Sequence, residues 1–267
     1  MTNIPIRSSG SLNSGNILSI NQTRVQGALN RQNISSINYT GTRRIPDSYR
    51  PARTHASEGS YAPVHTQSPR EALPARDTHP IPPLCNLIQK GQKMNIGTAG
   101  QLQRVRIAMG WNVLNPQCDI DLSAYLLNDS GKVPADDWFV FYGQTRSPDE
   151  SVILNTGGSP QDREIADIDF TKLHASIRKI VFVLTINEAF DRRLNFSMVK
   201  DAYIRLLNPA DHREILSFML TDYYENVTSM MLGEIYLYND TWKFNAIGNG
   251  VARDLAGLCE LYGVQTN

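Results

Sequence analysis

From about residue 84 onward, apolar and polar side chains alternate with a period near two, interrupted every ten to fifteen residues by Asn, Asp, Gly or Pro. In residues 102–111 (LQRVRIAMGW), Leu102, Val105, Ile107 and Met109 largely share one face, with Arg104 and Arg106 on the other. That is the pattern of an antiparallel strand with one dry and one wet side. Further strands are expected at residues 120–127, 138–142, 151–154, 165–169, 179–186, 202–208, 214–220, 230–238 and 241–246. Asn128 through Gly131 (NDSG) and the Asn239-Asp240 pair read as hairpin-type connections. Many short strands with turn punctuation predict an all-β fold, a two-sheet antiparallel β-sandwich, in place of parallel βα units.

Helical material is sparse. Across residues 251–262, Val251, Leu255, Leu258, Cys259 and Tyr262 recur on one face at helical spacing, after the Gly248-Asn249-Gly250 turn and before Gly263. A C-terminal helix is therefore expected against the sandwich. A shorter helical piece at residues 188–194 contains no β-branched residue and bridges two strands.

Residues 1–84 break the pattern. They are rich in Ser, Asn, Gly, Arg and Pro, contain no Lys, Trp or Phe, and scatter their apolar residues without a period. Burial there would not offset the entropy of ordering the chain, so this segment is read as a disordered N-terminal arm, stiffened at its exit by Pro80, Pro82 and Pro83. The ordered domain is then residues 85–267, long enough to bury a core without disulfide or metal.

That division exposes a charge asymmetry hidden by the zero net charge of the whole chain. The arm holds nine Arg against Asp47, Glu58, Glu71 and Asp77, a net of +5, leaving −5 on the domain. A flexible basic arm suits an anionic partner such as nucleic acid, a lipid surface or an acidic protein patch. It also suits a solubilising tail that folds back on its own acidic domain. Within it, NILSINQT beginning at Asn16 recurs as NISSINYT beginning at Asn33, the form of a bivalent docking motif or a product of biased composition.

No apolar targeting region or spanning stretch of about 18–20 residues is expected. Cys85, Cys118 and Cys259 are an odd number at wide spacing, which reads as free thiols in a reducing compartment.

One local motif carries chemistry. In CDIDLSAYLL (residues 118–127), Asp119 and Asp121 stand two apart at the start of an apolar strand, so both carboxylates project to one side. Like charges so close are either solvated at a strand end or answered by something positive, a hard cation or a neighbouring Arg or Lys. Elsewhere the signals are weak. His174 and His212 stand alone, without zinc-ligand spacing, and no GxSxG elbow or Cys-His arrangement offers a nucleophile. The Gly248 turn lacks the remaining glycines and the Lys of a phosphate loop.

The blocks GWNV, DIDLSAYLLNDSGKV, FVFYGQTRSPDES, KIVFVLTINEA, NFSMVKDAYIRLLN and GEIYLYNDTWKFNAIGNGVARDLAGLCELYGV, in this order, resemble the TerD family of bacterial tellurium-resistance and stress proteins over residues 87–264. The resemblance implies a β-sandwich that is not an enzyme and that binds Ca²⁺ through acidic loops. It further implies a cytoplasmic location near the inner membrane face, alongside other stress-complex proteins and related TerD-like domains. The Ca²⁺ ligands it implies are Asp119 and Asp121, joined by Asp162 and Glu164 from a second acidic loop. Asp136 and Asp137 lie at a strand entrance and read either as a solvated turn, the reading preferred, or as acids reaching the first pair, and Asn187-Glu188 resembles a polar pair at the same loop end.

This chain departs from the family pattern in the second loop, NTGGSPQDRE at residues 155–164. The loop is short, Gly158 stands where an Asp is expected, and Arg163 replaces another acid. Ca²⁺ wants about six to eight oxygens and weakens steeply as carboxylates are lost. Two outcomes are open at this stage, a weakened Ca²⁺ site or one closed by Arg163 through a salt bridge.

Overall fold

The computed structural model describes residues 78–265. Most of the basic arm and both copies of its repeated octet lie outside them. Residues 78–84 adopt no helix or strand. The chain is then tied down by the Cys85 and Asn86 N–H groups, which donate to Glu214 Oε1 at 2.9 and 2.7 Å.

Eleven strands follow: β1 (Lys93–Thr98), β2 (Arg104–Val113), β3 (Ile120–Leu127), β4 (Phe139–Val140), β5 (Val152–Asn155), β6 (Glu164–Asp169), β7 (Lys179–Ile186), β8 (Val199–Leu207), β9 (Glu214–Met219), β10 (Ser229–Tyr238) and β11 (Thr241–Val251). Two helices join them, α1 (Ala189–Arg192) after β7 and α2 (Leu255–Tyr262) after β11. The strands form a six-stranded sheet in the order β1-β11-β10-β7-β3-β4 and a five-stranded sheet in the order β5-β6-β2-β8-β9. Every pairing between named strands is antiparallel, as the alternation predicted.

The core lies between the sheets, where Val105, Ile107 and Met109 of β2 belong to one buried cluster with Leu122 of β3 and Phe182 and Leu184 of β7. A second cluster covers the outer face of the six-stranded sheet. There Tyr125, Val181, Val183 and Met231 pack with Leu258, Cys259 and Tyr262 of α2. This explains why β7 is buried at all eight positions: it is central in its sheet and dry on both faces, the condition under which strand alternation disappears. The helix is fixed at both ends, by Asp254 accepting the Gly257 N–H at 2.8 Å and by Gly263 in the left-handed region.

Several boundaries differ from the sequence reading. The Gly248-Asn249-Gly250 segment is not a turn: Asn249 and Gly250 pair with Met231 and Met230, β11 runs on to Val251, and the helix begins only at Leu255. The expected strand at 138–142 shrinks to Phe139–Val140, because Asp136–Trp138 form one 3-10 turn and the chain turns again at once, with Phe141 and Gln144 exchanging backbone hydrogen bonds. Strand β1 escaped the pattern altogether. Its sequence KMNIGT has no clean alternation, since it is a half-exposed edge held to β11. At Asn239-Asp240 both residues have positive φ (46° and 53°) between the paired Tyr238 and Thr241, the two-residue hairpin that was expected.

Candidate functional site

The loops at one end of the sandwich enclose an open cleft of about 510 Å³. Asp119 and Asp121 both line it, one just before β3 and one within it, together with Glu164 from the start of β6. The two sheets thus each contribute carboxylates to one place. Asn187, just past β7, also lines the cleft: its backbone N–H donates to the Asp119 carbonyl at 2.8 Å and its Nδ2 to Asp119 Oδ2 at 3.4 Å.

Glu164 is the most perturbed of the acids. It is buried, and its Oε2 accepts the N–H of Leu122 at 3.0 Å, a bond from one sheet to the other. Burial pushes its carboxyl up to about 8. The Leu122 hydrogen bond opposes that rise and the charges of Asp121 and Asp119 reinforce it. Asp121 is also shifted upward, first by burial and then by Asp119. Clustered and partly buried carboxylates thus raise one another's affinity for a proton.

Asp162 goes elsewhere. Although only two residues before Glu164, it closes a turn rather than lying in a strand, with Ser159 and Asp162 exchanging backbone hydrogen bonds. The same-face rule for i and i+2 therefore does not reach it. Arg205 Nη2 donates to its two oxygens at 2.8 and 2.7 Å, and Arg205 Nε to Oδ1 at 3.2 Å. The Tyr203 hydroxyl donates to the Gln161 carbonyl at 2.6 Å and lies 3.2 Å from Asp162 Oδ1. Side-chain exposure is 4 % for Asp162 and 11 % for Arg205, a buried ion pair. Gly158 permits this turn: its φ is +57°, and a Cβ there would stand 2.2 Å from the carbonyl oxygens of Asp162 and Arg163. An Asp at that position is sterically unavailable to the turn as built.

Arg163 lines the cleft with the three remaining acids. Its Nε donates to the Trp111 carbonyl at 2.6 Å, and its guanidinium stacks 5.7 Å from the Trp111 ring. Of the other residues singled out by sequence, Asp136 accepts the Gln265 N–H at 2.7 Å, and neither Asp136 nor Asp137 lines the cleft. Glu188 pairs with Arg192. All three cysteines are free, Cys118 and Cys259 buried and Cys85 exposed.

A Ca²⁺ ion at this end would have to be held by these acids. Three carboxylates of the four share the cleft with the guanidinium of Arg163, and the fourth is committed to Arg205. Among the described residues no group of three or more His, Cys, Asp or Glu is arranged so that it could hold a metal ion. The residues present do not fit a carboxylate cage of the kind Ca²⁺ requires. Arg205 and Tyr203 were missed by sequence reasoning. The available signal was Gly110 in the middle of β2, directly opposite Tyr203, since glycine inside a strand often marks close approach by another group.

A two-sheet antiparallel sandwich with an acidic loop end and a helix clamped on one outer face defines the class. Residues 85–262 match the TerD domain, and the chain belongs to the TerD family. It is 35 % identical over 188 residues to the tellurium resistance protein TerD of Alcaligenes sp, covering 67 % of this chain and 98 % of that one. It is 33 % identical to general stress protein 16U of Bacillus subtilis (strain 168), covering 67 % and 97 %. A crystal structure of a TerD homologue from Streptomyces coelicolor A3(2) is similar at 20 % identity with a TM-score of 0.46, covering 60 % of this chain and 95 % of that one. Among the described residues no helix is long and apolar enough to cross a membrane.

Proposed function

We propose that this protein is a non-enzymatic binding module of a stress response of the tellurium-resistance type, and that its acidic loop end works without a bound metal, stabilised by the chain's own arginines. The family membership and the names of its relatives support the first part. The observation that carries the second is the diversion of Asp162 into a buried pair with Arg205. A cation in the cleft would be left with Asp119, Asp121 and Glu164, beside the fixed positive charge of Arg163. Each lost carboxylate lowers Ca²⁺ affinity steeply, and a resident guanidinium lowers it further by direct repulsion. In this reading the cleft is an acidic recognition surface whose shape does not depend on ion concentration.

Calorimetric titration of the full chain with Ca²⁺, paired with thermal unfolding, tests the reading. The expected result is no binding heat and no stabilisation at millimolar ion. Any ion that binds the native state raises stability by mass action. A Ca²⁺-dependent rise in melting temperature that disappears in Asp119→Asn/Asp121→Asn would overturn the metal-free reading.

A further inference from the structure

A second depression, of about 330 Å³, adjoins the acidic cleft and shares Asp121, Tyr142 and Asn187 with it. Its walls combine apolar surface and negative charge. Tyr142 and Phe190 are 57 % and 54 % exposed, large rings left in water beside Leu255, while Asp121, Glu188, Asp191 and Asp254 surround them. Glu188 is paired with Arg192, and Asp254 caps α2. No Lys or Arg is among the described residues that line the groove. Phe190 is raised into this position by the single-turn helix α1. The residues flanking that helix, Glu188 and Arg193, both hold left-handed backbone (φ 49° and 53°), a conformation that costs energy for side chains other than Gly. The chain thus holds strained backbone to present an aromatic ring to solvent above a ring of acids.

We infer that this groove docks the chain's own basic N-terminal arm, through the segment RRIPDSYRPAR at residues 43–53. That segment carries Arg43, Arg44, Arg50 and Arg53 against a single acid, Asp47, interleaved with Ile45 and Tyr49. Its composition mirrors the groove: cations for the acids, and an aliphatic and an aromatic side chain for the exposed rings, with Arg also able to stack on Tyr142 and Phe190. The arm's excess of positive charge equals the remainder's excess of negative charge, which favours this partner over a second acidic domain. Reach is not limiting. Residues 54–77 separate the segment from the first described residue, and a coil-like chain of that length would have a root-mean-square span of roughly 25–30 Å. A domain of this size has a radius of gyration near 16 Å, so such a linker spans much of its surface. Tethering supplies an effective concentration on the order of millimolar, enough for a weak site to be filled. An anionic partner that captures the arm would then uncover the groove, coupling two binding events through one segment.

The test uses the full chain with Phe190→p-benzoylphenylalanine, a substitution at an exposed ring that leaves the core untouched. Irradiation at low protein concentration is followed by mass mapping of the cross-linked peptides. The expected product is an intramolecular link from position 190 to residues 43–53. Its yield should fall several-fold in Arg43→Ser/Arg44→Ser/Arg50→Ser/Arg53→Ser and in high salt, which screens exposed charge pairs. Links that join two chains, that map elsewhere on the arm, or that do not form with the arm at all would each overturn the assignment. The measurement does not involve Ca²⁺, so it stands or fails separately from the metal-free reading.

Discussion

Asp162→Asn is the substitution that most directly separates a structural from a ligand role for the second acidic loop. Asn keeps the size of the side chain but removes the charge that answers Arg205, whose side chain is only 11 % exposed. Removing one partner of a buried pair leaves the other desolvated and uncompensated, at a cost of about 3–5 kcal/mol. For a domain of this size each kcal/mol lowers the melting temperature by about 2–4 °C, so a drop of about 6–20 °C is expected. The loss should be the same with chelator as with millimolar Ca²⁺. Asp162→Asn/Arg205→Met, which removes both charges and fills the space with an apolar chain, should be more stable than Asp162→Asn alone, because a buried pair replaced as a unit is often neutral. Urea and thermal unfolding of the three proteins give the free energies. A single-mutant loss below about 1 kcal/mol, the scale of an exposed ion pair, would refute the claim that this pair is buried and structural. So would a loss that appears only when Ca²⁺ is present.

Two further outcomes follow from the same loop end. The Glu164 carboxyl, raised to about 8 in the fold against an ordinary value near 4.3 in the unfolded chain, favours folding while it is protonated. Its contribution is therefore complete below about pH 4, declines as pH rises and is lost above about pH 8, with on the order of 5 kcal/mol at stake. Glu164→Gln should match the native protein near pH 5 and exceed it near pH 9 in urea midpoint, and parallel curves across that range would contradict the assignment. Gly110→Ala would place a Cβ 2.3 Å from the Tyr203 hydroxyl oxygen. It should cost about 1–3 kcal/mol by overpacking and should weaken the Tyr203 contact with Gln161, detectable as a lowered melting temperature. An unchanged melting temperature would show that Tyr203 is free to move.

The architecture was legible in the chain because it rests on short-range regularities. Alternation placed β2, and apolar stretches between turn residues placed β3 and β7; the position of α2 explains why β7 is buried on both sides. Legibility failed where a residue's partner came from a distant element. Asp162 and Glu164 are near neighbours in sequence, and nothing local states that one turns outward to β8 while the other turns inward to β3. What decides it is the backbone of a turn that only a glycine at position 158 can complete, together with an Arg some forty residues downstream. Tyr203 and Arg205 fall inside an expected strand, and nothing in their local sequence marks either as part of a site. They are the anchor of a loop, and Gly110 is the space left for one of them. Charge pattern alone therefore overstates how many carboxylates a site possesses: an acid counts toward it only if no closer cation of its own chain has claimed it first. In this protein Arg205 has claimed Asp162, and Arg163 stands among the acids that remain.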